Sequence, residues 1–216
     1  MNSPTVDSYD IMGEQVTLPV EIRKATAFTA AFAVPYDKAA RQISPTGLSP
    51  LALPGLPGLG KRTICMLVLV DYVDGDLGPY NEFGVCFMVR DHRAADGSSA
   101  LLDAKAMVTG DACALIHQLP VDGEFTRRAG RGIWGFPKIM AEFDADHASD
   151  TKRASVRADG QLIAQLSVRK GIAVPDQKSS AELTSYSYLD GVTRFTPWHM
   201  QARDTRVRIG GADLIL

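Results

Sequence analysis

Apolar residues recur at every second position along much of this chain. Val16, Leu18, Val20 and Ile22 alternate with other residues, and Phe28, Ala30, Phe32 and Val34 repeat the pattern. A period of two buries one face of an extended segment and wets the other, which points to antiparallel sheet. Thr63 to Val73 is instead a nearly continuous apolar run rich in β-branched residues, as expected of a strand buried on both faces. Asp74-Gly75-Asp76 then predicts a turn, and Asn81 to Val89 a returning strand. Arg90 to Ser99 reads as a polar loop, with further strands over 104–109 and 112–120. Asp159-Gly160 and Asp190-Gly191 each separate two short alternating runs, and Asp-Gly in that setting is the favoured two-residue hairpin turn.

Helices are scarce. Asp37 is placed to cap a short helix ending at Ile43. Asp122 is placed to cap one over 123–134, where Arg127, Arg128 and Arg131 suit the negative end of the helix dipole. Gly130 and Gly132 weaken that helix and predict early fraying. Between Pro45 and Gly60, four prolines and four glycines preclude a hydrogen-bonded ladder. The leucines at 48, 51, 53, 56 and 59 predict a loop packed against the body or another subunit. The whole pattern predicts a single domain over residues 1–216, of the α+β class and mainly antiparallel β, as a curled sheet or barrel with a helix against it.

Composition narrows the function. With 45% hydrophobic and 22% charged residues the 216-residue chain is ordinary globular material, neither collagen-like nor broadly disordered. A net charge of −2 offers no basic surface, so no nucleic-acid partner is expected. No run approaches the roughly 18 apolar residues of a membrane span, and the polar start lacks a secretory pattern. No membrane partner and a cytoplasmic location are therefore expected. Cys65, Cys86 and Cys113 lie far apart in apolar runs, as small buried hydrophobes do. His92, His117, His147 and His199 are scattered, without the spacing of a metal site; His117 reads as a core or pocket-wall residue. The glycines form no phosphate loop or dinucleotide fingerprint, and no Gly-x-Ser-x-Gly elbow occurs.

The chemistry concentrates in Gly130-Arg131-Gly132-Ile133-Trp134-Gly135-Phe136-Pro137-Lys138-Ile139. A lysine between Pro137 and Ile139, close to Phe136, sits in apolar company. A free lysine amine is almost fully protonated at pH 7, and burial disfavours the ammonium. Activating such an amine as a nucleophile toward a carbonyl requires about 4 kcal/mol of differential stabilisation. The alternative is a lysine whose stem packs on the aromatics while its ammonium reaches water.

Gly130 to Lys138 resembles the active-site signature of the acetoacetate decarboxylase family, in which an aromatic-Gly-aromatic-Pro run leads to a Schiff-base lysine. Leu77-Gly78-Pro79-Tyr80-Asn81-Glu82 resembles that family's Tyr-x-Glu segment, and Leu119-Pro120-Val121-Asp122 the strand end before the signature helix. The resemblance implies a cone-shaped β-barrel with a helix before the lysine. It implies Lys138 as the Schiff-base residue, Glu82 as the pocket carboxylate and Phe136 as the aromatic beside the amine, with Trp134 and Arg131 on the substrate side. It implies a lyase acting on a small oxo acid as a homo-oligomer, with no metal, nicotinamide or pyridoxal cofactor. The family's activating second lysine falls at Ile139, and a second pocket glutamate, by ungapped counting, at Leu67. Both are apolar here, so only partial activation of Lys138 is expected. Arg23 is a further correspondence, for a substrate-side arginine. The departures leave open the same imine used by an aldolase, dehydratase or cyclase, or a protein that binds an oxo acid without catalysis.

Overall fold

The computed structural model describes residues 7–53, 55, 58, 60–91, 103, 112–176 and 181–216. A hairpin, β1 (Ser8–Ile11) and β2 (Glu14–Thr17), precedes the long strand β3 (Ile22–Pro35) and the helix α1 (Tyr36–Ile43). Then follow β4 (Arg62–Gly75), β5 (Tyr80–Val89), β6 (Cys113–Val121), the helix α2 (Glu124–Trp134) and the short strand β7 (Lys138–Met140). The second half is β8 (Glu142–Asp146), β9 (Thr151–Ala158), β10 (Gln161–Arg169), β11 (Ile172–Ala173), β12 (Ala181–Leu189), β13 (Val192–Met200), β14 (Arg206–Val207) and β15 (Ala212–Ile215).

Two sheets carry the fold. The larger runs β13-β12-β6-β5-β4-β3, with β7 also on β6, and the smaller runs β15-β10-β9-β8. In the larger sheet β12 and β7 lie parallel to β6, while its other pairs are antiparallel. The period-two residues explain the layering. Phe28, Ala30, Leu67, Leu69 and Phe83 from the larger sheet meet Ala154, Val156, Ala164 and Leu166 from the smaller one in a shared core. Each large apolar side chain buried this way stabilises the fold by about 1.5–3 kcal/mol. A second cluster seats Ala39 and Ile43 of α1 against Phe87, Val89, Leu115 and Tyr186.

The molecule is therefore mainly antiparallel β with mixed pairing and few helices. The expected barrel differs in one respect: the larger ladder ends at β3 and β13 and stays open among the described residues. The inner face of β3 packs on the smaller sheet, so the core closes by sheet-on-sheet packing rather than by strand pairing around a ring.

Both Asp-Gly hairpins form. Asp159 and Gly160 have φ of 50° and 75°, and Asp190 and Gly191 have φ of 53° and 78°, the double positive φ of a type I′ turn. The loop after α1 packs on the body: Leu51 and Ala52 are buried, and the Leu51 N–H donates to the Met88 carbonyl. Leu56 and Leu59 lie outside the described residues, as do His92 and the strand expected over 104–109.

Three local expectations are corrected. The turn expected at Asp74–Asp76 falls later, because Gly75 still pairs with Ile22 and Arg23 clasps Asp74 and Asp76. The helix caps are Pro35 and Gly123, without side-chain bonds. Asp37 lies instead in the first turn of α1. Asp122 accepts from the backbone and side-chain N–H groups of Asn81, which fixes the start of β5. Nor does α2 fray: it runs to Trp134, and Gly135, at φ 64°, closes it with its N–H on the Arg131 carbonyl. Among the described residues no helix is long and apolar enough to cross a membrane.

Candidate active site

Strand parity decides what meets Lys138. In paired strands, directly opposed residues share a face of the sheet. Tyr72 opposes Tyr80 and Val70 opposes Glu82, while Glu82 opposes Val121 on the next strand. Lys138, first residue of β7, pairs with Leu119 two positions before Val121. Tyr72, Tyr80, Glu82 and Lys138 thus rise from one face, over which α2 lies. Leu67 and Leu69 point to the other face, into the core between the sheets.

The Lys138 side chain is only 3% exposed. Its Nζ lies 2.9 Å from Glu82 Oε2 and donates to Thr126 Oγ1 at 2.8 Å. The Tyr80 ring centroid is 4.7 Å from the same nitrogen, a cation–π contact. The stem of the lysine lies on Gly130, where an added Cβ would stand 2.6 Å from Lys138 Cδ and 2.8 Å from Cε. The other oxygen of Glu82, Oε1, accepts from the Tyr72 hydroxyl at 3.1 Å. The Tyr72 and Tyr80 rings stack with centroids 4.3 Å apart. Burial first, and then the Glu82 charge, hold both phenols well above their ordinary value, so both remain neutral.

A buried ammonium and carboxylate lose hydration, and their mutual attraction offsets that loss only when the remaining polar atoms are satisfied. Here Thr126 and Tyr72 satisfy them from opposite ends. The result is a primary amine and a carboxylate in contact, enclosed by phenols. Such a pair exchanges a proton without solvent, and the neutral amine it produces is a nucleophile toward a carbonyl.

Of the residues singled out in the sequence, Lys138 and Glu82 meet. Phe136 and Trp134, both half-buried, stack on each other with centroids 5.7 Å apart. The Phe136 carbonyl accepts the Lys138 N–H at 2.7 Å, so this segment shapes the turn into β7, and the ring against the amine is that of Tyr80. Arg131 Nη1 donates to the Lys138 carbonyl at 3.3 Å and so holds the lysine backbone. Ile139 is 42% exposed, because its neighbour on the strand points inward. It therefore does not dry the amine. Arg23, at the start of β3, is engaged by Asp74 and Asp76. A cavity of about 240 Å³ opens where β12 and β7 share one edge of β6. It is lined by Gln42, His117, Gln118, Tyr188 and Pro137. Its wall includes the residue before the lysine.

Thr126, Tyr72 and Gly130 were not singled out as site residues, and Tyr80 only as part of a motif. Signals for some of them exist: Tyr80 and Glu82 are two apart on a strand, and Thr126 and Gly130 are one helical turn apart.

Residues 3–216 match the acetoacetate decarboxylase (ADC) family. Among curated proteins, none matches the sequence. Among solved structures, an acetoacetate decarboxylase from Legionella pneumophila is 18% identical with a TM-score of 0.55, over 91% of this chain and 72% of that one. A second acetoacetate decarboxylase structure is 16% identical with a TM-score of 0.59, over 92% and 75%. The enduracididine biosynthesis enzyme MppR, complexed with the condensation product of pyruvate and imidazole 4-carboxaldehyde, is 12% identical with a TM-score of 0.51, over 88% and 74%. At these identities the likeness is one of fold.

Proposed function

We propose, from the premise that this chain belongs to the acetoacetate decarboxylase family, that it is a lyase forming a Schiff base between Lys138 and a small oxo acid. The observation that carries the reading is the contact of the buried Lys138 amine with Glu82 at 2.9 Å. Glu82 takes a proton from the ammonium, and the amine attacks the keto carbon. A C–N bond forms, the C–O bond breaks, and oxygen leaves as water, taking one proton from the attacking amine and the one that Glu82 returns. The iminium then accepts the electron pair of the breaking C–C bond as carbon dioxide departs. The chemistry needs no cofactor. Action in the cytoplasm as a homo-oligomer belongs to the same proposal, and the exposed Ile139, Met140, Trp198 and Met200 support the assembly.

A second reading keeps the imine but ends in aldol-type condensation or dehydration. It is favoured by the outward-facing Ile139, which leaves the amine without an adjacent ammonium. MppR, held with a condensation product, lends support by its fold alone.

A panel of oxo acids, including acetoacetate and pyruvate, tests both. Imine formation exchanges the carbonyl oxygen with solvent, so ¹⁸O incorporation reads the first step and carbon dioxide release the second. Lys138→Met, which keeps the stem, is expected to lose both. Turnover of any oxo acid retained by Lys138→Met would defeat the imine reading and leave acid–base chemistry through Glu82.

A further inference from the structure

An ammonium carries three N–H bonds, and the iminium it becomes keeps only one. Two protons therefore leave with the carbonyl oxygen as water, and one stays on nitrogen. Which proton stays depends on what each N–H faces. Nζ of Lys138 faces Glu82 Oε2 at 2.9 Å and donates to Thr126 Oγ1 at 2.8 Å. These two acceptors differ in kind. A carboxylate takes a proton and returns it, whereas a threonine hydroxyl accepts the hydrogen bond without taking the proton.

We propose that Thr126 is a catalytic residue that holds the retained N–H, keeping the Lys138 imine protonated while Glu82 handles the departing water. The proposal rests on the Schiff-base reading above. Its step balances. One ammonium proton passes to Glu82 Oε2, and the freed lone pair forms the C–N bond. A second proton leaves nitrogen for the carbonyl oxygen, the first is returned to it, and the C–O bond breaks to release water. The third N–H, held by Thr126, remains in the iminium and in the enamine that follows carbon dioxide loss. An imine that loses this proton carries no charge on nitrogen and is a poor electron sink.

Helix α2 is built to hold that contact. Thr126 and Gly130 stand one turn apart on one face of it. The Lys138 stem runs past Gly130, where a Cβ would stand 2.6 Å from Cδ, and its tip reaches Thr126. Thr126 is itself buried, and its methyl lies against Gly123, where an added Cβ would stand 2.9 Å from Cγ2. With the methyl lodged there, Oγ1 is left to face the amine. Two glycines thus seat the lysine stem and the threonine side chain, so nitrogen keeps this acceptor while its bonds to carbon change. A charged donor in a dry site also makes a stronger hydrogen bond than a neutral one in water. Glu82 is held separately, by Tyr72 at its other oxygen, 3.1 Å away.

Two hydride reagents separate the roles. Borohydride reduces neutral and protonated imines alike, whereas cyanoborohydride at neutral pH reduces the protonated form. Wild type, Thr126→Ser and Thr126→Val are incubated with pyruvate and each reagent, and labelling rates are read by intact mass. Valine keeps the shape of threonine and removes the acceptor; serine keeps the acceptor. Wild type and Thr126→Ser should be labelled by both reagents. Thr126→Val should be labelled by borohydride, with cyanoborohydride labelling slowed about tenfold or more. Thr126→Ala repeats the comparison should the valine variant not fold. Equal cyanoborohydride labelling of Thr126→Val and wild type, or a wild type labelled by borohydride alone, overturns the role of Thr126. So does loss of labelling by both reagents in Thr126→Val, since the hydroxyl would then serve imine formation. A wild type labelled by neither reagent removes the Schiff-base reading and this role with it.

Discussion

Gly130 illustrates how a helix residue can be chosen for what lies beside it. Glycine inside a helix costs about 1 kcal/mol relative to alanine. Yet α2 accepts it one turn after Thr126, because the Lys138 stem occupies the space a Cβ would need, at 2.6 Å from Cδ. Gly130→Ala should therefore leave the melting temperature within a few degrees of wild type while reducing oxo-acid labelling of Lys138 at least tenfold. Unchanged labelling would show that the stem moves freely. At this scale the sequence reveals the nucleophile and the carboxylate, whose motif spacing is local. It does not reveal Tyr72 as a partner, nor that Leu67 faces away. Opposed residues on β4 and β5 are fixed by register, with Val70 across from Glu82. Even-numbered positions on β4 therefore share the face of Glu82 there, and ungapped counting to residue 67 lands on the other face.

Helix α2 carries its own electrostatic device. Hydrogen bonds from Arg127 and Arg128 hold the Glu124 carboxyl down to about 2, against an ordinary value of 4.5. The group is at the helix N-terminus, where an anion is favoured. A depressed carboxylate contributes stability that is fully present above its unfolded value and is lost as the pH falls toward the folded one. Urea midpoints of wild type and Glu124→Gln should thus differ above about pH 4.5 and converge near pH 2, with salt shrinking the gap. A gap that persists unchanged below pH 2 would refute the pairing. Strands and hairpins were legible as elements, since alternation and Asp-Gly turns act over a few residues. Caps were not. Asp122 has the right chemistry for a cap, but its carboxylate is engaged by Asn81 across the sheet, a partner 41 residues away in the chain.

The two faces of the larger sheet do different work. One face packs on the smaller sheet and supplies the core; the other, under α2, carries Tyr72, Tyr80, Glu82 and Lys138. Alternation in β4 and β5 serves both at once, which is why the nearly continuous apolar run of β4 ends in Asp71 and Tyr72. Which margins pair was not legible, because the open ladder depends on long-range packing of β3 against the smaller sheet. The chain has eight lysines, and Lys138 is the buried one among those described. Exposure alone would direct a carbonyl reagent to the others. The account's central claim is that the buried amine is the reactive one. Borohydride reduction in the presence of pyruvate or acetoacetate, followed by peptide mass mapping, measures this across the whole chain. The account predicts one adduct per chain, carried by the peptide holding Lys138 and absent in Lys138→Met. Adducts spread over exposed lysines, with Lys138 unmodified, would contradict it.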